Sequence, residues 1–185
     1  LKKRFGSVPF SVVEEVWDYG WDEDLSTVPP EEVTEAAVKM KEKYPEKRMI
    51  VHYMQPHLPY IGQALREERS PTELELEGYN HLETGKAKHD EVSQLYTDTL
   101  RLVLDEVEVL LENIDAETVA ITADHGEAFG EFGAYGHPEG FPHPAVKKVP
   151  WVVTSASDAN TREPNLEDTG ASVDIEQHLA DLGYR

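Results

Sequence analysis

The sequence of 185 residues contains no cysteine, which excludes disulfide bonds, thiolate metal ligands and a thiol nucleophile. It also lacks an apolar run near the ~20 residues that a membrane-spanning helix requires. The basic start at residues 1–4 is not followed by the apolar core of a secretory signal. We therefore expect a cytoplasmic protein with no membrane contact, whose chemistry depends on oxygen and nitrogen side chains.

Basic residues are scarce: 17 Lys and Arg stand against 37 Asp and Glu, which gives a formal net charge of −20. Such an acidic surface repels nucleic acid and anionic membranes. It is typical of a halophilic protein, because concentrated salt screens the repulsion among its own charges. If the substrate is an anion, a local cation such as a bound metal ion must offset this field.

The chain has no internal repeat and no glycine-rich phosphate loop, so a flavodoxin-like binding domain is not indicated. Its length fits a single domain over 1–185, with an irregular and helical lead-in over 1–45. Pro30, followed by Glu31 and Glu32, is a typical helix start, and the apolar spacing continues this helix to about Tyr44.

Strands and helices alternate along the rest of the chain. The predicted elements are strand 49–54, helix 90–113, strands 118–122 and 149–154, and a helix at about 173–182. This order predicts an α/β fold with a largely parallel sheet flanked by helices.

Two candidate sites follow predicted strands directly: His57, and the pair Asp124 and His125. Ligands of such sheets bind beyond the carboxyl ends of the strands. A carboxylate with an imidazole suits a divalent ion such as zinc or manganese, and a carboxylate alone also suits magnesium or calcium. The alternative is that Asp124 caps the turn and His125 is a surface histidine.

Segment 122–131, Thr-Ala-Asp-His-Gly-Glu-Ala-Phe-Gly-Glu, resembles the C-terminal metal motif of the sulfatase and alkaline-phosphatase-like superfamily. Gly136-His137 stands where that family has a Gly-His or Gly-Lys pair, and segment 56–60, Pro-His-Leu-Pro-Tyr, resembles its Pro-His-x-Pro-Tyr loop. The resemblance covers residues 46–183, although Gln177 and His178 replace the usual Pro-Thr.

The resemblance implies an alkaline-phosphatase-like fold that acts on small anionic esters of sulfate or phosphate. Asp124 and His125 would ligate a divalent metal ion, and the candidates are calcium, manganese, zinc and magnesium. His137 would ligate a second metal or contact the substrate, and His57 would hydrogen-bond the sulfuryl or phosphoryl group. Alternatively, His137 caps a glycine-rich loop and His57 is held by packing. For Glu127, a helix N-terminal acid is preferred over a partner of a metal ligand.

The same family carries a Cys, Ser or Thr nucleophile in an N-terminal segment. Ser7-Val8-Pro9 has the start of that pattern but lacks its arginine, so Ser7 is not accepted as the nucleophile. We therefore expect the N-terminal part of the fold to be missing, the chain alone to be inactive or nearly so, and an open sheet edge to favour a homodimer. The alternative function is a non-catalytic, sulfatase-like binding module.

Overall fold

The computed structural model describes residues 10–162. Its helices are α1 (Pro30–Lys43), α2 (Gly62–Arg66), α3 (Glu73–Leu76), α4 (Gly78–Glu83), α5 (His89–Leu111) and α6 (Pro144–Lys147). Its strands are β1 (Ala116–Thr122), β2 (Ala128–Phe129), β3 (Tyr135–Gly136) and β4 (Trp151–Ala156), and single 3-10 turns lie at Val16–Asp18 and Glu131–Gly133. Within the described range, no helix has the length and apolarity needed to cross a membrane.

The two long helices form where the sequence predicts them. α1 begins at Pro30 with two acids in its first turn, and α5 runs from His89 to Leu111 with acids at its start. The buried residues of α5 include Val92, Val103 and Leu110, which repeat at helical spacing. α1 and α5 pack together through Ala37, Val38 and Leu110, and Ile114, just beyond the end of α5, joins this core.

All strand pairings among residues 10–162 are antiparallel. β1 pairs with β4, from Val119 opposite Thr154 to Thr122 opposite Trp151, and β2 pairs with β3. The described chain therefore mixes helices with two small antiparallel sheets, and it contains no long parallel sheet. A parallel connection needs a crossover that returns the chain to the same end of the sheet. Between β1 and β4 lie only a short hairpin and the one-turn α6, so the chain simply reverses direction.

The predicted strand 49–54 is wrong, because no part of it pairs with another described strand. Met49 and Val51 pack on the α1–α5 core, whereas Ile50 is 79% exposed. The apolar run thus reflects alternate residues packed on two helices, rather than a strand buried on both faces. The predicted helix 173–182 lies outside the described residues.

A second core lies beneath the candidate site. Tyr60, Leu82 and Val92 are buried there, and the half-buried Tyr79, Tyr96 and Phe129 pack against them. The rings of Tyr79 and Tyr96 meet that of Tyr60 edge-on at 6.1 and 6.2 Å. These three tyrosines are the tyrosine cluster. Its close packing requires glycine at residue 78, where a Cβ would lie 2.7 Å from the Tyr60 ring.

Candidate metal centre

His125 and Glu127 are placed by a close backbone contact at the end of β1. Between them, the N–H of Gly126 donates to the carbonyl of Val146 in α6, at 2.9 Å. A Cβ on Gly126 would lie 2.0 Å from the carbonyl oxygen of Ala145, so no side chain fits at residue 126. The contact with α6 therefore fixes the backbone of the residues on both sides of Gly126.

His137 reaches the same place from the end of β3. It follows Gly136, whose φ of +69° is a left-handed conformation that favours glycine. The rings of His125 and His137 are stacked with centroids 4.0 Å apart. Oε1 of Glu127 lies 2.9 Å from Nδ1 of His137 and 3.7 Å from Nδ1 of His125.

These three side chains form a compact set of metal-ligand atoms. One such atom from each of His125, Glu127 and His137 lies within 4.8 Å of the others. In a tetrahedral zinc site with bonds of about 2.1 Å, neighbouring ligand atoms are about 3.4 Å apart. The three side chains are therefore close enough to meet at one ion, and two imidazoles with a carboxylate are donors that zinc accepts.

His57 lies beside this set, with its ring centroid 5.4 Å from that of His137. Its loop is held on both sides: the side-chain amide of Gln55 donates to Val28 O at 2.9 Å, and the N–H of Tyr60 donates to Glu75 O at 2.8 Å. Burial lowers the pKa of His57, and the hydrogen bond to Leu58 O and the charge of Glu127 only partly oppose this shift. The structure thus brings three of the predicted site residues together.

The hydrogen bonds of the three imidazoles share one pattern. Nδ1 lies 2.8 Å from Leu58 O in His57, 3.1 Å from Gly126 O in His125, and 2.9 Å from the Glu127 carboxylate in His137. Carbonyl and carboxylate oxygens only accept hydrogen bonds, so Nδ1 is the donor in each case. In the neutral imidazoles the lone pair then lies on Nε2, the nitrogen that would meet a metal ion or a substrate.

Asp124 lies at the edge of the site rather than within the compact set. Its side chain is 60% exposed, and its Oδ1 accepts a hydrogen bond from the backbone N–H of His125 at 2.9 Å. The same oxygen is 3.6 Å from Nε2 of His125. The turn-capping contact is therefore present, and Asp124 also remains near the nitrogen through which His125 would bind a metal.

Glu127 has a larger part in the site than its sequence context indicates. The preferred interpretation, an acid at a helix N-terminus, is wrong because β2 follows it directly and its side chain is only 6% exposed. The available signal was its position one residue beyond His125-Gly126, where a strand ends. Its burial, however, depends on tyrosines that are distant in sequence.

The second oxygen of Glu127 is buried next to the tyrosine cluster. Burial raises the pKa of Tyr79, and the neighbouring Tyr60 and Glu127 raise it further. The charge of Glu127 also raises the pKa of Tyr60 and Tyr96, after the larger effect of burial. Among residues 10–162, Oε2 of Glu127 and the hydroxyls of Tyr60 and Tyr79 make no hydrogen bond of ordinary geometry. The carboxylate thus sits beside protonated hydroxyl groups that are shielded from water.

Comparison with protein-family models, with curated proteins and with solved structures finds no match to this chain.

Proposed function

We propose that this chain supplies the metal-binding part of a hydrolase or transferase that acts on small anionic esters of sulfate or phosphate. The observation that carries the proposal is the compact group of His125, Glu127 and His137, with His57 and Asp124 at its border. The motif resemblance supports the choice of ester chemistry.

The donor set narrows the choice of metal ion. Calcium and magnesium prefer sites built from oxygen ligands, whereas two imidazoles next to carboxylates suit zinc or manganese. His125 and His137 would hold the ion through Nε2, with Asp124 as the exposed carboxylate next to His125. When bound, such an ion supplies positive charge that stabilises the oxygens of the transferring group.

The chain's own residues prepare the site for an anion. The backbone oxygens of Leu58 and Gly126 and the carboxylate of Glu127 fix the imidazole orientations, so these rings need not reorganise when a substrate arrives. Lys147 and Lys148 lie on or next to α6, the helix that contacts Gly126. They add local positive charge to a chain of net charge −20, which favours the approach of an anionic ester.

A non-catalytic binding module is the second candidate. It is favoured by the lack of an accepted nucleophile in the sequence, since Ser7 lacks the expected arginine. Both candidates predict metal binding, and only the hydrolase predicts turnover once a nucleophile is supplied by another segment. The chain alone is expected to bind metal and to turn over esters slowly or not at all.

The first test is metal binding in high salt. Dialysed protein is titrated with Zn²⁺ and Mn²⁺ by calorimetry, and the melting temperature is recorded with and without metal. We expect about one equivalent to bind, and a free ion concentration of 100 times Kd to stabilise the fold by about 2.7 kcal/mol. His125→Ala and His137→Ala should lose both effects.

The matched control for this test is His52→Ala, because His52 is exposed and lies outside the compact set. This variant should bind metal as the parent does. Equal uptake by the parent and His137→Ala, or no uptake by the parent, would contradict the proposed metal centre. Metal binding with no cleavage of aryl sulfates or aryl phosphates, after a nucleophile-bearing segment is added, would favour the binding module.

A further inference from the structure

We infer that Glu127 is a positioning residue, whose carboxylate fixes the tautomer and orientation of His137 while the tyrosine cluster holds the carboxylate in place. The inference rests on the proposed function in one respect: it takes Nε2 of His137 as the atom that meets the metal or the substrate. The arrangement that fixes this atom is described by contacts within the chain itself.

The hydrogen bond between Glu127 and His137 carries the first step. Nδ1 of His137 donates to Oε1 of Glu127 at 2.9 Å, and the Glu127 side chain is only 6% exposed. A short hydrogen bond to a charged acceptor in a partly dry site is stronger than one between neutral groups. It therefore keeps the proton of the neutral imidazole on Nδ1 and the lone pair on Nε2.

The surroundings of the second oxygen supply the next step. Oε2 of Glu127 is buried, and a Cβ on Gly136 would lie 3.8 Å from it and 3.6 Å from the ring of Tyr79. The carboxylate is thus packed beside the tyrosine cluster and the backbone that leads into His137. Rotation away from His137 would require the repacking of a buried core, so the carboxylate is fixed before any ligand binds.

The same contacts favour positioning over direct metal ligation by Glu127. A metal bound between Oε1 of Glu127 and Nδ1 of His137 would have to break their hydrogen bond. His57 and His125 also direct Nδ1 to an oxygen acceptor, so binding through Nε2 keeps all three hydrogen bonds. A carboxylate that orients a ligating histidine in this way commonly changes metal affinity by about 10- to 100-fold.

The test reads the tautomer of His137 in the metal-free protein. Two-bond ¹⁵N–¹H NMR spectra distinguish an Nδ1–H from an Nε2–H imidazole, and His137→Ala identifies its signal. We expect the Nδ1–H form in the parent. Glu127→Leu, which keeps the approximate side-chain size but removes the acceptor, should lose this preference and bind Zn²⁺ about 10- to 100-fold more weakly.

Two further variants separate positioning from ligation and from misfolding. Glu127→Gln keeps a side-chain oxygen that can accept from Nδ1, so it should largely retain the tautomer and lose less affinity than Glu127→Leu. Glu131→Gln, on the same hairpin and bonded to the N–H of Phe129 at 2.6 Å, should match the parent in both readouts. Near-ultraviolet circular dichroism confirms that each variant is folded.

The inference is overturned if the parent shows the Nε2–H form, or if a folded Glu127→Leu keeps both the Nδ1–H form and the parent's Zn²⁺ affinity. Equal and severe loss of Zn²⁺ binding in Glu127→Gln and Glu127→Leu, with the Nδ1–H tautomer unchanged in both, would show ligation instead. If the parent binds no metal but the tautomer depends on Glu127, positioning stands and the proposed metal function fails.

Discussion

The two regions that meet at the candidate site differ sharply in burial. On one side, Tyr60 is fully buried, and the tyrosine cluster encloses the carboxylate of Glu127. On the other side, β1 and β4 form a two-stranded antiparallel ribbon in which Val152 and Val153 are 53% and 61% exposed. The carboxylate of the candidate site is therefore held beside the tyrosine core, whereas the β1–β4 ribbon contributes mainly by leading the chain from the end of β1 to Gly126.

The largest effect should come from a substitution at Gly126. Gly126→Ala would place a Cβ 2.0 Å from the backbone oxygen of Ala145, and backbone atoms yield less readily than the end of a flexible side chain. We expect a loss of about 3 kcal/mol in the free energy of unfolding, together with weaker metal binding. Urea denaturation measures the first quantity and calorimetry the second.

Gly140→Ala is the matched control for this prediction. Gly140 has a φ of +75°, and a Cβ there would meet no atom within 4 Å. Only the backbone penalty of a left-handed residue remains, about 1 kcal/mol. If Gly126→Ala were no more destabilising than Gly140→Ala, the close contact with α6 would not fix the site.

A smaller effect is expected from the ion pair that supports the tyrosine core. The carboxylate of Glu75 is almost fully buried, and it accepts hydrogen bonds from Arg69 at 2.7 and 2.9 Å and from the N–H of Thr72 at 2.6 Å. The backbone oxygen of Glu75 accepts from Tyr60. Because Arg69 is partly exposed, we expect Arg69→Gln to cost about 2 kcal/mol in urea denaturation. Arg101→Gln, in an exposed pair with Asp98, should cost under about 0.5 kcal/mol.

The pH dependence of this effect has a definite sign. Burial by itself would raise the pKa of Glu75, but the hydrogen bonds from Arg69 and Thr72 outweigh it, and the net pKa lies below the ordinary value of 4.5. A lowered pKa in the folded state stabilises the fold above pH 4.5, and this stabilisation is lost as the pH falls through the folded-state pKa. Urea titrations from pH 7 downward should therefore show that the difference in the free energy of unfolding between the parent and Arg69→Gln becomes smaller in acid. A difference that stays constant with pH would contradict a lowered pKa of Glu75 caused by Arg69.

Local signals were sufficient to predict the elements that are periodic or capped. α1 begins at the predicted Pro30, and α5, β1 and β4 lie within about two residues of their predicted ends, because proline, acids and apolar spacing act over a few residues. The sheet direction could not be derived in this way. It depends on how far the chain between β1 and β4 travels, and the short elements of that segment have weak periodicity.

The candidate site shows the same difference between local sequence signals and long-range packing. His57 and His125 were predicted because each closely follows an apolar run, and His137 because Gly136-His137 resembles a pair in the suggested family. The structure brings all three together. The burial of Glu127 was not predictable, because it is created by the tyrosine cluster from other helices. Sequence patterns thus identified the side chains of the site but not the packing that orients them.

We propose that the exposed part of the β1–β4 ribbon forms an interface with a second copy of the chain. Substitutions there should have the smallest effect on the free energy of unfolding. Among the described residues, β4 has a partner only on its β1 side. β4 itself carries no charge, whereas Lys148 precedes it and Asp158 follows it. Antiparallel pairing of two β4 strands would place Lys148 of one copy near Asp158 of the other, so the charges favour this arrangement.

Val153→Glu tests this interface. The substitution adds a carboxylate near the centre of the paired strands, and the two copies would then repel each other. Because Val153 is 61% exposed, the free energy of unfolding of the monomer should change by no more than about 0.5 kcal/mol, while sedimentation velocity in high salt should show the dimer lost. Thr118→Glu on the exposed part of β1 should leave the dimer intact. A parent that is monomeric at all concentrations would instead mean that exposure of the ribbon alone does not produce association.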